Sequence, residues 1–156
     1  LSILNVDRDL AVHLFLRACE TNDERVLAGH YTHDFIRYTC RQYSKLLVPL
    51  IERMAYADLE EVANEGAAWA TVMHLESGIT SELAQSCAVG TPAQRQGVAR
   101  AAVGLAEDER VGASCFSLLN ELFDDTDENV RKEALSILRC ASFVAGPKVT
   151  IIEVSE

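Results

Sequence analysis

The sequence predicts an all-α fold built from antiparallel helix pairs, and three observations support this prediction. Apolar residues recur at helical spacing through most of the chain, and no stretch before Lys148 alternates apolar and polar residues as a half-buried strand does. Glycine and proline are also too sparse for an all-β protein. The 156 residues are 49% hydrophobic but only 6% aromatic, so a single compact unit with an aliphatic, alanine-rich core is expected.

Residues 1–44 predict one degenerate helix pair. Leu10, Leu14 and Ala18 are spaced as the apolar face of a first helix, and Thr21-Asn22-Asp23-Glu24 has the form of a capping box that would start a second. One face of that second helix is expected to carry four residues at helical spacing, namely Leu27, Tyr31, Phe35 and Tyr38.

Residues 45–78 predict the next pair, with "AYADLEE" as the turn between its helices. The apolar stripe of the first helix comprises Tyr43, Leu46, Leu47, Leu50, Ile51 and Met54. The stripe of the second comprises Val62, Gly66, Trp69, Ala70 and Met73. The single tryptophan stands among alanines, which let helices approach closely, so its expected role is core packing.

Two further pairs are predicted over residues 81–106 and 111–141. In the first, Thr91 is expected as the N-cap of the second helix and Pro92 at its first position. In the second, "DDTD" separates two amphipathic stripes, and Asp127 and Glu128 suit the positive end of the incoming helix. The two stripes are Val111, Cys115, Leu118, Leu119 and Leu122, then Val130, Ala134, Ile137, Leu138 and Ala141. Residues 147–156 are typical of a strand or a tail.

The run Leu119-x-x-Leu122-Phe123, Asp125 and Val130-Arg131-x-x-Ala134 resembles the HEAT repeat of the armadillo-like helical superfamily. The second helices start near Val62, Gln94-Arg95 and Val130, at intervals of one helix-turn-helix repeat. The resemblance implies a right-handed α-solenoid of about four pairs over residues 1–146. It also implies that a turn aspartate and an arginine at the start of a second helix bridge neighbouring repeats, and that a proline bends the first helix. Residues at these signature positions are Pro49, Val62, Arg95, Asp125, Val130, Arg131 and Ala134; Ala57 and Val89 replace the aspartate in the earlier repeats, and Ala63 replaces one arginine.

Phrases such as "FIRYTCRQYSKLLVPLIERM" are also similar to the C-terminal repeat region of bacterial STAND or NACHT-type signalling ATPases. That resemblance implies a sensor or ligand-recognition part of a larger signalling protein. The chain opens on Leu1 and contains no Walker-type phosphate-binding loop, so we expect a piece of a longer protein whose ATPase lies elsewhere.

The net charge of −10 argues against nucleic acid as a partner, because no Lys/Arg run is longer than Arg131-Lys132. No apolar run approaches the ~20 residues needed to cross a bilayer, and no signal peptide is evident. We therefore expect a cytoplasmic protein with no membrane association. Its five cysteines, with no C-x-x-C pair, are expected to be reduced and mostly packed between helices.

The preferred interpretation is a non-enzymatic scaffold that binds a protein or peptide, with a basic partner favoured by the acidic surface. No catalytic motif occurs, no cofactor is expected, and the oligomeric state stays open. The first alternative is a metal-dependent HEAT-like enzyme that uses His30 and His33, with Asp34 beside them on one helical face and a third ligand from His13 or His74. A HEAT-like DNA-binding protein is the second alternative, and the negative charge opposes it. For the scaffold, Glu60, Glu61 and Glu65 are the acidic residues whose placement would be informative.

Overall fold

The computed structural model describes residues 7–21 and 23–139, and this part of the chain forms eight helices and no strand. The predicted all-α class is therefore confirmed there. The helices are α1 (Arg8–Thr21), α2 (Glu24–Leu27), α3 (His30–Ala55), α4 (Glu60–Ser77), α5 (Ser81–Ala88), α6 (Pro92–Leu105), α7 (Gly112–Leu122) and α8 (Glu128–Leu135). Within these ranges no helix combines the length and the apolar character needed to cross a membrane.

Helices that are close in the chain pack against each other. The most extensive interface joins α4 to α6; α4 also packs against α3, and α6 also packs against α7 and α8. The buried side chains form two adjoining clusters rather than one centre. The first is contributed mainly by α3 and α4 and contains Leu47, Ile51 and Val62, while the second is contributed mainly by α6, α7 and α8 and contains Leu119 and Val130.

Two glycines allow α4 to approach its neighbours closely. A Cβ added to Gly66 would lie 2.2 Å from the backbone nitrogen of Ala55 on α3. A Cβ added to Gly97 of α6 would lie 2.1 Å from the carbonyl oxygen of Asn64 on α4. Real Cβ atoms do not make contacts this short, so both interfaces depend on the absence of a side chain.

Helix α3 is kinked at Tyr43, where φ is −118° and ψ is 24°. The kink lies six residues before Pro49, which is accommodated inside the helix, so the expectation that Pro49 marks the bend is not met. Tyr43 donates a hydrogen bond to Asp9, which places the kink at the contact with α1. The predicted boundary between residues 44 and 45 therefore lies next to this kink, where two helical segments meet within α3.

The predicted apolar face of α1 is wrong. Leu10 and Leu14 are 52% and 55% exposed, and Ala18 is exposed as well. The buried side of α1 instead carries Val12 and Cys19. Between them, the ring of Phe15 stacks on Phe35 of α3 at a centroid distance of 3.7 Å. The face that packs is therefore set by this tertiary contact with α3.

The predicted face from Leu27 to Tyr38 is only partly correct, because Phe35 packs against the first core cluster as Leu27 does, but the two tyrosines do not. Leu27 is buried, but Tyr31 and Tyr38 are 75% and 80% exposed. Leu27 belongs to α2, and the chain leaves helical structure at Ala28 and Gly29 before α3 begins. This interruption resets the helical phase, so that the buried residues of the first half of α3 are Thr32, Ile36, Thr39 and Cys40.

The predicted helix starts have mixed outcomes. Thr21 ends α1, and Asp23 caps α2 by accepting a hydrogen bond from the Arg25 amide, so the predicted capping box is wrong. The cap at Thr91 is confirmed, because its hydroxyl accepts from the Gln94 amide at 3.3 Å while the Gln94 side chain accepts from the Thr91 amide at 2.8 Å. Asp127 caps α8, as expected, by accepting from two amides of its first turn.

Most residues of the later apolar stripes are buried as predicted. Tyr43, Val111 and Leu118 are only half-buried, and Leu46 and Leu138 are 41% and 59% exposed. Cys19, Cys87 and Cys115 are buried free thiols, and Cys40 is buried too although its neighbours in sequence are polar. The predictions for Cys140, Ala141 and the tail over 147–156 lie outside the described residues.

Candidate functional site

The N-terminal ends of α4, α6 and α8 border one open groove of about 530 Å³. We call it the second-helix groove, because these three are the second helices of the predicted pairs. Thr91 and Asp127 fix where α6 and α8 begin, while the amide of Leu59 before α4 donates to the carboxylate of Glu24 at 3.3 Å. The charged residues that line the groove are Glu60, Glu61, Glu65, Arg100 and Asp127.

The second-helix groove is acidic, with four carboxylates against one guanidinium in its lining. Glu60 and Glu61 lie in the first turn of α4, where a negative charge is favourable next to the positive end of the helix. Both side chains are exposed, and neither forms an ion pair within the described residues. Their charges therefore face solvent in the groove.

A second group of residues, the Glu65 cluster, consists of His33, Glu65, Trp69 and Arg100. One carboxylate oxygen of Glu65 accepts from His33 Nδ1 at 2.5 Å and from Trp69 Nε1 at 3.0 Å. The other oxygen accepts from Arg100 Nη2 at 2.6 Å. The Glu65 side chain is only 15% exposed, so this cluster joins α3, α4 and α6 through one largely buried carboxylate.

The ionisation of Glu65 follows from these contacts. Burial raises the pKa of Glu65, but the hydrogen bonds from His33 and Arg100 outweigh burial and hold the pKa below its ordinary value. A carboxylate can only accept hydrogen bonds, so Nδ1 of His33 carries a proton. The His33 ring also lies against Trp69, with a centroid distance of 5.2 Å.

Arg95 and Asp125 form a bidentate ion pair between α6 and the turn that precedes α8. The two hydrogen bonds measure 2.7 and 2.9 Å, and the side chains are only 17% and 7% exposed. The hydrogen bond from Arg95 holds the pKa of Asp125 below its ordinary value. Because the Asp125 carboxylate also accepts from the Asp127 amide at 2.8 Å, the pair fixes the N-terminal end of α8 relative to α6.

The other residues at HEAT signature positions are Arg131, Val62, Val130, Ala134 and Pro49. Arg131 donates a hydrogen bond to the backbone carbonyl of Asp125, whereas the carboxylate of Asp125 accepts from Arg95. The two residues at the signature positions of the last predicted pair are therefore in contact, but only through the backbone of Asp125. Val62, Val130 and Ala134 are fully buried, and Pro49 lies exposed on α3.

The candidate metal ligands do not converge. His30, His33 and Asp34 are exposed on α3; the His30 ring lies 3.9 Å from that of Tyr31, and His33 is held by Glu65. His74, a possible third ligand, bonds the hydroxyl of Ser81 at 2.9 Å. Across residues 7–21 and 23–139, no group of three or more His, Cys, Asp or Glu side chains is arranged to hold a metal ion.

Sequence reasoning missed the Glu65 cluster, although the spacing contained a signal. His33 precedes Glu65 by 32 residues, and Arg100 follows it by 35. These separations are close to the length of one helix-turn-helix unit, so residues at this spacing can lie side by side on neighbouring helices.

A comparison of the chain with protein-family models, curated proteins and solved structures gave no match.

Proposed function

We propose that this chain is a non-enzymatic, HEAT-like helical-repeat scaffold whose second-helix groove binds a basic segment of a protein partner. The observation that carries the proposal is the groove itself, in which exposed Glu60 and Glu61 stand beside the starts of α6 and α8. A cationic segment in this groove would meet unpaired carboxylates, which favour association through charge complementarity.

The packing order supports the repeat architecture in this proposal. Helix α4 packs against α6 and α6 packs against α8, so that each second helix contacts the next along the chain. The two adjoining core clusters support an extended array rather than a single closed core. The number of pairs in the proposed array, about four, and its right-handed winding follow from the HEAT resemblance. Such arrays commonly bind partners along the surface formed by one helix of each pair.

The proposal also includes the larger protein to which this scaffold would belong. A scaffold of this kind would serve as the sensor or ligand-recognition part of a larger cytoplasmic signalling protein. Recognition by charge suits that role, because electrostatic steering raises association rates and makes binding sensitive to ionic strength. The proposed partner is a protein or peptide segment that carries several lysine or arginine side chains.

The test measures binding of a fluorescein-labelled peptide of alternating glycine and arginine by fluorescence anisotropy at low salt. The double variant Glu60→Lys/Glu61→Lys is compared with Glu107→Lys/Glu109→Lys, which changes the net charge equally at two exposed residues outside the groove lining. We expect the groove variant to weaken binding about tenfold, since two local attractions become repulsions, and the control to weaken it about two- to threefold.

Three results would contradict the proposal. The first is no binding of the arginine peptide by the wild-type protein. The second is equal weakening by the two double variants, which would mean that overall charge rather than the groove governs binding. The third is equally tight binding of a matched peptide with glutamate in place of arginine.

A further inference from the structure

We propose that a gap between α5 and α7 is a second binding site, which takes a small organic ammonium ion with an apolar body. The gap has a volume of about 290 Å³ and is bordered by α4, α5, α6 and α7. We call it the first-helix gap, because α5 and α7 are the first helices of two predicted pairs. It shares no lining residue with the second-helix groove, so this inference does not depend on the proposed function.

Small side chains on α5 leave the space open. Ala84 and Ala88 lie one helical turn apart on the face of α5 that borders the gap, and Leu118 of α7 borders it from the other side. Thr71 of α4 and Val98 of α6 are buried and close the gap at its base. The methyl groups of the two alanines do not fill the distance to α7, so Ala88 and Leu118 stay half-buried and can contact an apolar ligand.

The hydrogen bonds of His74 and Thr71 leave only acceptors for a ligand in the gap. The Ser81 hydroxyl donates to the carbonyl oxygen of Gly78 at 2.8 Å, so it can only accept from Nδ1 of His74, at 2.9 Å. Nδ1 therefore carries the proton, and Nε2 of the neutral ring is an acceptor. The Thr71 hydroxyl uses its own proton to donate to the carbonyl oxygen of Ala67 at 2.9 Å.

Glu121 gives the first-helix gap a negative charge. Its side chain is exposed and forms no ion pair within residues 7–21 and 23–139, and no lysine or arginine lines the gap. Of the lining side chains, only the carboxamide of Gln85 still offers hydrogen-bond donors. Acceptors and one carboxylate between apolar walls favour a ligand that is cationic and donates hydrogen bonds, and they disfavour a carboxylate ligand.

The ligand class follows from these walls and acceptors. The ammonium group donates to Glu121 and to Nε2 of His74, while the apolar body lies against Ala88 and Leu118. The volume of the gap suits a single ring with a short chain. We use 2-phenylethylamine as the probe, and we expect a dissociation constant of about 1 mM for so small a ligand.

The first experiment titrates the ¹⁵N-labelled protein with 2-phenylethylamine at pH 8, where a histidine is ordinarily neutral, and follows the backbone amides by NMR. Saturable shifts are expected at the amides around Ala88 and Leu118. At constant ionic strength, 2-phenylethanol keeps the ring but lacks the charge, and 3-phenylpropionate reverses the charge. We expect the alcohol to bind about three- to tenfold more weakly than the amine, and the carboxylate not to bind.

The second experiment compares three variants in the same titration. Ala88→Leu fills the gap and should abolish binding of the amine. Glu121→Gln should weaken binding about two- to fivefold, as suits one exposed charge pair. Glu82→Gln is the matched control, because Glu82 is an exposed glutamate on α5 outside the lining of the gap, and it should leave the affinity unchanged. Circular dichroism verifies that each variant is folded, and Glu121→Gln at the surface keeps the test valid even if Ala88→Leu does not fold.

Four results would overturn the inference. These are the absence of saturable shifts with 2-phenylethylamine, equal affinity for 3-phenylpropionate, equal effects of Glu121→Gln and Glu82→Gln, and shifts centred on Glu60 and Glu61 in place of Ala88 and Leu118. The last result would show that the amine binds in the second-helix groove and that the first-helix gap is not its site.

Discussion

The contact between α4 and α6 predicts opposite effects for two alanine substitutions on α6. A Cβ at Gly97 would lie 2.1 Å from the Asn64 carbonyl oxygen and 3.1 Å from the Cβ of Ala67. A Cβ at Gly104 would have no neighbouring atom within 4 Å. The same added methyl group therefore meets backbone at one position and open space at the other.

The expected free energies follow from these distances. At Gly97 the two helices must separate by about 1 Å to relieve the overlap, and overpacking of this kind costs roughly 1–3 kcal/mol, or more against rigid backbone. The gain in helix propensity offsets only about 1 kcal/mol of that cost. We expect Gly97→Ala to lower the free energy of unfolding by about 2 kcal/mol. Gly104→Ala keeps only the propensity gain, and we expect it to raise that free energy by about 1 kcal/mol.

Urea unfolding followed by circular dichroism measures both changes. For a chain of this size, 2 kcal/mol corresponds to a fall in melting temperature of roughly 4–8 °C. Gly66→Ala on α4, where a Cβ would lie 2.2 Å from the Ala55 nitrogen, should behave like Gly97→Ala. If Gly97→Ala and Gly104→Ala shift stability in the same direction by similar amounts, the close approach of α4 and α6 is wrong.

Three further predictions each test one feature of the structure. Asp125→Asn should lower the free energy of unfolding by roughly 3 kcal/mol, because it leaves the guanidinium of Arg95 without its counter-charge, and a double-mutant cycle with Arg95→Gln should show strong coupling. Since the pKa of Asp125 is lowered in the folded protein, the wild type should lose this stabilisation as the pH falls below about 4 while Asp125→Asn shows a flatter acid profile. Thr91→Ala should cost about 1 kcal/mol in urea unfolding through loss of the α6 cap, and a smaller loss would contradict the capping geometry. Burial raises the pKa of Cys87 to about 11, so a thiol reagent should label Cys87 only as fast as the protein opens, and rapid labelling of the native protein would contradict its burial.

Helices α6 to α8 could be predicted from the sequence because short-range hydrogen bonds and apolar spacing determine them. Thr91-Pro92 and Asp127 start helices through hydrogen bonds to amides two or three residues away, and such contacts can be recognised in a linear pattern. The stripe from Cys115 to Leu122 lies in a single uninterrupted helix. Where these local signals agreed, the sequence predicted both the position of a helix and the face that it buries.

The N-terminal part was less predictable because its helical phase depends on tertiary contacts. Gly29 interrupts the helix between Leu27 and Tyr31, and the kink at Tyr43 occurs where α1 meets α3. A spacing rule assumes that the helix continues through such points. The exposure of Tyr31 and Leu14 shows how a small error of phase moves an apolar residue from the core to the surface.

The candidate site could be predicted only in part, because it also depends on tertiary contacts. Glu60 and Glu61 could be identified as acidic residues at a helix start, but the surface they face depends on how α4 packs against α6. The ion pair between Arg95 and Asp125 joins residues 30 positions apart, and it is the kind of bridge that the resemblance implied between a turn aspartate and the arginine of a neighbouring second helix. The contact between His33 and Glu65, which no motif marks, requires the three-dimensional packing of α3 against α4.

The acidic residues of the second-helix groove differ in what they can offer a ligand. Glu65 is held by three donors, and the Asp127 carboxylate accepts from the amides of Asn129 and Val130 at the start of α8. Both side chains are therefore engaged in fixing the positions of the second helices. Glu60 and Glu61 have no ion pair in the described structure, so they can reorient towards an incoming cation without breaking the scaffold. Recognition in the groove should consequently depend on Glu60 and Glu61, whereas substitution of Glu65 or Asp127 should lower the stability of the protein as well as its affinity for a basic segment.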